Sequence, residues 1–472
     1  MRDGPAPGTG IVHFGPGAFF RAFNAAFTHE AMEMAGGDWG IEAVSLKSPT
    51  ARDQLLPQGG VYTAVELGPE GETHKIITSI ANVLVASEDP SAVVKVLTNP
   101  KVKIVSLTIT EKGYGYDPTT KGLDLTHPDI AADLADPSGR RSAVCLIAAA
   151  LEARRLSGTP PFTVMSCDNL PSNGHVTKTV VRDFAKHVFP DLVDWIAQHG
   201  AFPSTMVDRI TPATTNEDLA ELEKAIGYHD PAAVFHEPFR QWVIEDSFVS
   251  GRPAWDRAGA QFVQSVDAHE TMKLRCLNGT HSALAYLGYL AGHQTIAGTI
   301  AAPGFTAFCE YLWQSEILPT VPQPEGEDLQ AYTDALLARY RNPNIQHRTW
   351  QIAMDGSQKL PQRLLGTVRD HLKDGHLPTG LCLVVAAWMR YVGGVDETGA
   401  PIDVRDPMAD RLKQASDAAS GAVGKVEALL SVTEVFGRDL AASEAFRDAV
   451  TAAYQRLEDQ GAATAVSDFP LK

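Results

Sequence analysis

An amine, an amide and an imidazole stand at spacings of five and three in Glu270-Thr-Met-Lys273-Leu-Arg-Cys-Leu-Asn278-Gly-Thr-His281. An amine able to lose its proton, an amide donor and an imidazole suit removal of a proton from an alcohol without a metal. On an α-helix, at about 100° per residue, Lys273 and Asn278 diverge by about 140° with His281 between them. All three can then address one pocket, the lysine stem covering the axial gap. A lysine at its ordinary pKa of about 10.4 stays protonated at neutral pH. Service as a base therefore requires burial to lower that value. On spacing alone, a partly exposed helix with scattered polar residues fits the same segment.

These residues need a scaffold. With 472 residues, the chain exceeds one ordinary core, and two domains are expected. The first half alternates strands and helices. Strands are predicted at 10–14, 39–46, 101–110 and 162–167, and helices at 18–34, 89–97, 142–156 and 177–187. Such alternation predicts a mostly parallel sheet covered on both faces. After about residue 268 long helical patterns dominate, at 272–290, 306–317, 329–340, 381–392 and 443–458. The expected architecture is an α/β domain over 1–267 and a mostly α-helical domain over 268–472.

Polar residues cluster where the predicted strands end. Gly15-Pro16-Gly17-Ala18-Phe19-Phe20-Arg21 follows the first strand and opens a helix, as a dinucleotide-binding loop does. Phe20 occupies the place of the usual third glycine, so the helix is expected to stand further off the sheet. The second strand ends Val44-Ser45-Leu46-Lys47-Ser48 without the acid that would grip a ribose hydroxyl. Lys47 or Arg52 would suit a 2′-phosphate, which leaves NAD and NADP both open at this point. Thr108 and Glu111 follow the third strand, and Asp168 and Asn169 the fourth. Asn169 can donate to an alkoxide oxygen, whereas Asp168 and Asn173 suit turn capping. Asp208-Arg209 ends another apolar run, as a substrate contact or a structural ion pair. Cations gather in Glu237-Pro-Phe-Arg240 and in the stretch from His347 and Arg348 to Lys359 and Arg363. Each of these has a solvated charged face as its plain alternative.

Composition narrows the function further. A net charge of −17 argues against a nucleic-acid surface, which needs clustered Lys and Arg. An anionic substrate would have to be held by a local cationic patch against the global field. The five cysteines are scattered and show no metal-ligand spacing, so they read as reduced core thiols. No apolar run approaches the roughly 20 residues of a membrane span, and the opening Met1-Arg-Asp-Gly-Pro-Ala-Pro-Gly8 lacks a signal-peptide core. A cytoplasmic protein without membrane partners is expected. No exposed heptad or apolar edge marks an oligomer interface.

Taken together, these stretches resemble the polyol-specific long-chain dehydrogenase/reductase family. Its K-x4-N-x2-H signature is met by Lys273, Asn278 and His281. SLTITEKGY (106–114), FTVMSCDN (162–169), EPFRQWVIED (237–246) and HRTWQIAMDGSQKLPQR (347–363) place the chain nearest the branch acting on mannonate and fructuronate. The resemblance, from about residue 10 to residue 460, implies a Rossmann-type domain, a helical domain, a site in the cleft between them and metal-independent hydride transfer with NAD. It implies Lys273 as general base, Asn169 and Asn278 as oxyanion-stabilising amides and His281 as a ligand of a substrate hydroxyl. Glu270 would control a water path for the released proton. Asp208 and Lys359 resemble substrate contacts, with Arg363, Arg240 or Arg348 as further holders of a carboxylate. Phe14, Gly15, Gly17, Ala18, Phe19, Arg21, Lys47, Thr108 and Glu111 would contact the cofactor. The expected partner is a sugar acid. A neutral polyol such as mannitol or arabinitol is the second reading, and a silent nucleotide- or sugar-binding protein the third.

Overall fold

Five short runs rich in Ile, Val and Leu join into one sheet in the order Ile80–Val85, Gly40–Ser45, Thr9–Phe14, Ile104–Leu107, Thr163–Ser166, every neighbour parallel. This computed structural model describes residues 4–471, so the first three residues of the polar N-terminal segment lie outside the described residues. Because strand side chains alternate, one sheet supplies two apolar faces. Val12, Phe14, Val105, Leu107 and Val164 pack under the helices Ala143–Ser157 and Asn173–Val188. Ile11, Ile41, Ala43, Ile104 and Met165 pack against Phe20, Phe23 and Phe27. Chain order reverses between Thr9–Phe14 and Ile104–Leu107, and in open α/β sheets ligands bind at that switch point, beyond the carboxyl ends of the strands.

Several elements differ from their sequence pattern. The strand Ile80–Val85 has no Gly or Pro marking it off from the preceding hairpin, Tyr62–Gly68 with Gly71–Ile77, and periodicity alone passed over both. The predicted helix 18–34 is two helices, Ala18–Ala22 and Asn24–Ala35, broken at fully buried Phe23 (φ −124°, ψ −84°). The predicted strand 101–110 stops at Leu107, because the Asp168 carboxylate captures the backbone N–H groups of Ile109 (2.9 Å) and Thr110 (3.0 Å). The helix expected from residue 177 begins at Asn173, whose buried amide bonds the Thr205 backbone in both directions (2.8 and 2.9 Å).

The chain divides into two compact units that part between Asp267 and Ala268. The second unit is helical, built around the buried helices Thr280–Leu290 and Thr379–Val392. Three of its segments, Lys273–Gly279, Leu312–Ile317 and Pro361–Leu365, are π-helical. Its last helix, Glu444–Ser467, runs past the predicted end and turns at Gly461 (φ 76°). Among the described residues, no helix is long and apolar enough to cross a membrane. All five cysteines are buried and free of disulfides.

Candidate active site

In the first unit the glycine loop sits at the switch point of the sheet. Gly15 has φ +94°, and a β-carbon there would lie 2.0 Å from the Thr108 carbonyl oxygen, so only glycine fits. Its N–H donates to Val44 O (3.0 Å), and the Thr108 hydroxyl donates to its carbonyl (2.8 Å). Gly17 differs. It caps the helix Ala18–Ala22 without any side-chain hydrogen bond, and the nearest atom to an added β-carbon is Gly15 O at 4.0 Å. The first glycine is thus required by the protein itself, while the second keeps open the approach of a pyrophosphate to the backbone. These residues fit a dinucleotide.

Phe20 occupies the third-glycine position by stacking on the His13 ring of the first strand (centroids 3.6 Å apart, interplanar angle 10°). His13 is the residue that sequence reading missed; a histidine inside an apolar strand was its one signal. Its ring nitrogens pair with Ser106 Oγ (2.8 Å) and Thr108 Oγ1 (2.9 Å), and burial lowers its pKa to about 3. A neutral His13 therefore ties the loop to the neighbouring strand end.

Two of the cationic cofactor candidates already have partners within the protein. Arg21 is buried and donates to Pro16 O (3.3 Å), supporting the loop from beneath, and its Nε has no hydrogen-bond partner. Burial, the largest influence, lowers its pKa. Lys47 is paired with Asp129 (2.8 Å), and Arg52 with Asp53 and Glu88, so carboxylates already meet both cations that would welcome a 2′-phosphate. Phe14 ends the first strand, fully buried, and Phe19 stacks on Phe23 at 5.0 Å. Glu111 is exposed at the start of the turn Glu111–Tyr114.

Asp168 shapes more than its own turn. Besides Ile109 and Thr110 it accepts from the Tyr114 hydroxyl (2.7 Å) and so holds Thr110 at φ +64°, a conformation strained for a β-branched residue. Its pKa is raised, with burial outweighing these hydrogen bonds. The next residue, Asn169, is exposed just past the strand end. Asp208 ends a strand of another sheet, Thr205–Asp208, and is buried. The Thr205 hydroxyl donates to Ser166 O (2.7 Å), tying that strand to the end of the central sheet. Arg240, expected as a substrate contact, is engaged by groups of the first unit. Its guanidinium pairs with Glu30 (2.5 Å), donates to Ala258 O (3.0 Å) and lies over the Phe27 ring.

In the second unit the lysine segment differs from the helix assumed for it. Lys273–Gly279 is a π-helix, with i→i+5 rather than i→i+4 backbone bonding. In such a turn the residue five positions on lies over the first, so Lys273 and Asn278 share a face and do not diverge by about 140° as on an α-helix. His281, in the following α-helix, is one turn beyond Asn278. Glu270 precedes Lys273 by one turn of the helix Asp267–Met272. The π-segment carrying Arg363 packs on the one carrying Lys273, where a β-carbon on Gly279 would be only 3.0 Å from Arg363 O. Arg363 donates to Ser282 Oγ (3.2 Å) and forms no ion pair with a carboxylate among the described residues. Lys359 Nζ donates to Met354 O (2.6 Å) and lies 3.9 Å from the Asp355 carboxylate. Arg348 is exposed. His281 packs between Tyr340 and His347, at ring-centroid distances of 4.8 and 5.0 Å. Its pKa is driven well below the usual value by burial, then by electrostatic coupling to His347, Arg339 and Arg363. Among the described residues, no group of three or more His, Cys, Asp or Glu side chains is placed to hold a metal ion.

A parallel sheet with a glycine loop at its switch point, followed by a helical unit carrying a lysine, an amide and an imidazole on one face, defines a nucleotide-dependent oxidoreductase architecture. Family models agree: the mannitol dehydrogenase Rossmann domain matches residues 9–257, and the mannitol dehydrogenase C-terminal domain matches residues 265–458. The chain belongs to the mannitol dehydrogenase family of oxidoreductases. It is 48% identical to D-mannonate oxidoreductase of Escherichia coli (strain K12), over 97% of this chain and 95% of that one. A solved Pseudomonas fluorescens mannitol 2-dehydrogenase, in ternary complex with NAD and D-mannitol, is 38% identical with a TM-score of 0.84, covering 98% of this chain and 94% of its own. A D-sorbitol dehydrogenase in substrate-free form is 31% identical with a TM-score of 0.90, covering 98% and 95%.

Proposed function

We propose that this chain uses NAD to interconvert D-mannonate and D-fructuronate. The observation that carries the choice of a sugar acid is Arg363, a guanidinium without a carboxylate partner among the described residues, on the segment packed against Lys273. The 48% identity to D-mannonate oxidoreductase supports the same choice. NAD is favoured over NADP because Lys47 and Arg52 are already paired with carboxylates, and because the mannitol 2-dehydrogenase relative is a complex with NAD.

NAD, when bound, supplies the hydride acceptor. Lys273, in its neutral form, takes the hydroxyl proton as the carbinol carbon gives up hydride. Asn278 and Asn169 donate hydrogen bonds to the oxygen as negative charge develops on it; losing one such donor typically costs about 10²–10³-fold in rate. His281, held neutral by burial, binds a neighbouring hydroxyl. Glu270, one turn before the lysine, relays the proton toward water. In the reverse direction the Lys273 ammonium protonates the ketone oxygen. Asp208 and Lys359 are the further substrate contacts of this proposal.

Incubation with NAD or NADP and a panel of mannonate, altronate, mannitol and arabinitol, followed by absorbance of the reduced cofactor, tests the reading. Mannonate with NAD should be preferred. Preference for mannitol would establish the second reading, which the D-mannitol complex of the relative favours. Lys273→Ala should abolish turnover while NADH binding persists, and near-normal turnover would remove the lysine from its role.

A further inference from the structure

His281, His347 and Arg363 form a cluster whose polar capacity the protein uses only in part. One nitrogen of each imidazole, His281 Nε2 and His347 Nδ1, is sealed from solvent with no hydrogen-bond partner, while the other nitrogen of each ring is not sealed. A buried N–H without an acceptor is costlier and rarer than an unpaired lone pair. Each ring therefore keeps its proton on the open nitrogen, Nδ1 of His281 and Nε2 of His347, and presents a neutral donor there. The rings meet edge to face, with centroids 5.0 Å apart. Burial lowers the His347 pKa to about 4, so it too is uncharged at neutral pH. Arg363 acts electrostatically on both rings, and the groups that influence either ring include Arg339 and no carboxylate. Arg363 is half-buried, and a partly desolvated guanidinium without a counterion is costly unless a ligand provides one.

We infer that Arg363 and the open nitrogen of His347 bind the terminal carboxylate of the substrate, with His281 on the adjoining hydroxyl, so that this cluster selects an aldonate over a neutral polyol. The inference rests on the oxidoreductase reading above and names the residues that set its substrate class. A guanidinium and a neutral imidazole donor suit a carboxylate through charge-assisted hydrogen bonds. A neutral polyol offers no charge to offset the desolvated cation.

The test compares wild type with Arg363→Met, Arg363→Lys, His347→Leu and His347→Asn. Steady-state kinetics with mannonate and mannitol are paired with calorimetric binding of D-mannonate, and NADH binding reports whether each variant is folded. Loss of a charge-assisted hydrogen bond typically amounts to about 10–100-fold. Arg363→Met and His347→Leu should therefore raise KM and Kd for mannonate by that factor relative to mannitol, with a smaller effect on kcat. Arg363→Lys and His347→Asn, which keep a donor, should recover part of the loss. Equal losses on mannonate and mannitol, or unchanged mannonate affinity, would overturn the assignment. If wild type binds mannonate without oxidising it, the proposed function fails while the Kd series still decides the subsite. If wild type does not bind mannonate, the subsite is overturned as well.

Discussion

Alanine at Gly15 and alanine at Gly17 should have separable consequences, although the two glycines are neighbours in one loop. At Gly15 the backbone has φ +94°, and a β-carbon would sit 2.0 Å from Thr108 O and 2.8 Å from Thr108 C. A left-handed conformation costs an L-residue about 1–2 kcal/mol. Neither contact atom can rotate away, so the loop must shift and strain its hydrogen bonds to Val44 O and from Thr108 Oγ1, at about 0.5–1.5 kcal/mol each. The sum is about 3 kcal/mol. For a unit of this size that corresponds to a fall of roughly 6–12 °C in the unfolding temperature of the first unit. Gly17 has φ −74°, which any residue adopts, and open space beyond its α-carbon. Gly17→Ala should therefore leave thermal unfolding within about 0.5 kcal/mol of wild type. Its methyl would obstruct the approach of a pyrophosphate to the backbone and raise the NADH Kd by about 10-fold or more, equivalent to about 1.4 kcal/mol. Thermal unfolding without cofactor and NADH titration by fluorescence separate the two effects. Equal losses of stability in both variants, or a Gly15→Ala protein as stable as wild type, would refute the reasoning.

Arg240→Met should destabilise the first unit by removing the partner of part-buried Glu30, whose pKa the arginine helps to lower, and should leave the mannonate KM within about 2-fold, since surface-like changes away from a site act weakly; a selective rise in KM would restore Arg240 as a substrate contact. Acidification should also weaken the first unit. His13 and His236 have folded pKa values of about 3, each depressed chiefly by burial, so the unfolded chain binds their protons first. The stability they confer is complete above the unfolded pKa and is lost as pH falls toward the folded values, by up to about 1.4 kcal/mol per pH unit per histidine; urea unfolding between pH 6.5 and 5 measures the slope, which His13→Gln should reduce. Gly356→Ala should destabilise the second unit by at least about 1–3 kcal/mol through overpacking, since its β-carbon would lie 2.3 Å from Trp388 Nε1 and 2.6 Å from the Tyr286 hydroxyl; differential scanning calorimetry would show the lower transition.

Local signals determined the alternation of strands and helices, the helical second half and the position of the glycine turn, because periodicity and turn chemistry are properties of neighbouring residues. The chemistry-bearing types were legible for the same reason: Lys273, Asn278 and His281 stand within nine positions of one another. Their shared face was not legible. It depends on one π-helical segment, packed against the Arg363 segment, whose wider turn no local pattern announces. The same holds for roles decided by partners far along the chain. Arg240 meets its carboxylate in Glu30, 210 residues away. Arg363 has no such carboxylate among the described residues, and His347 has a buried nitrogen without a partner. Sequence supplied the acids, bases and amides; only the tertiary structure decided which charges meet a counter-charge within the fold, because neutralisation depends on distance in space.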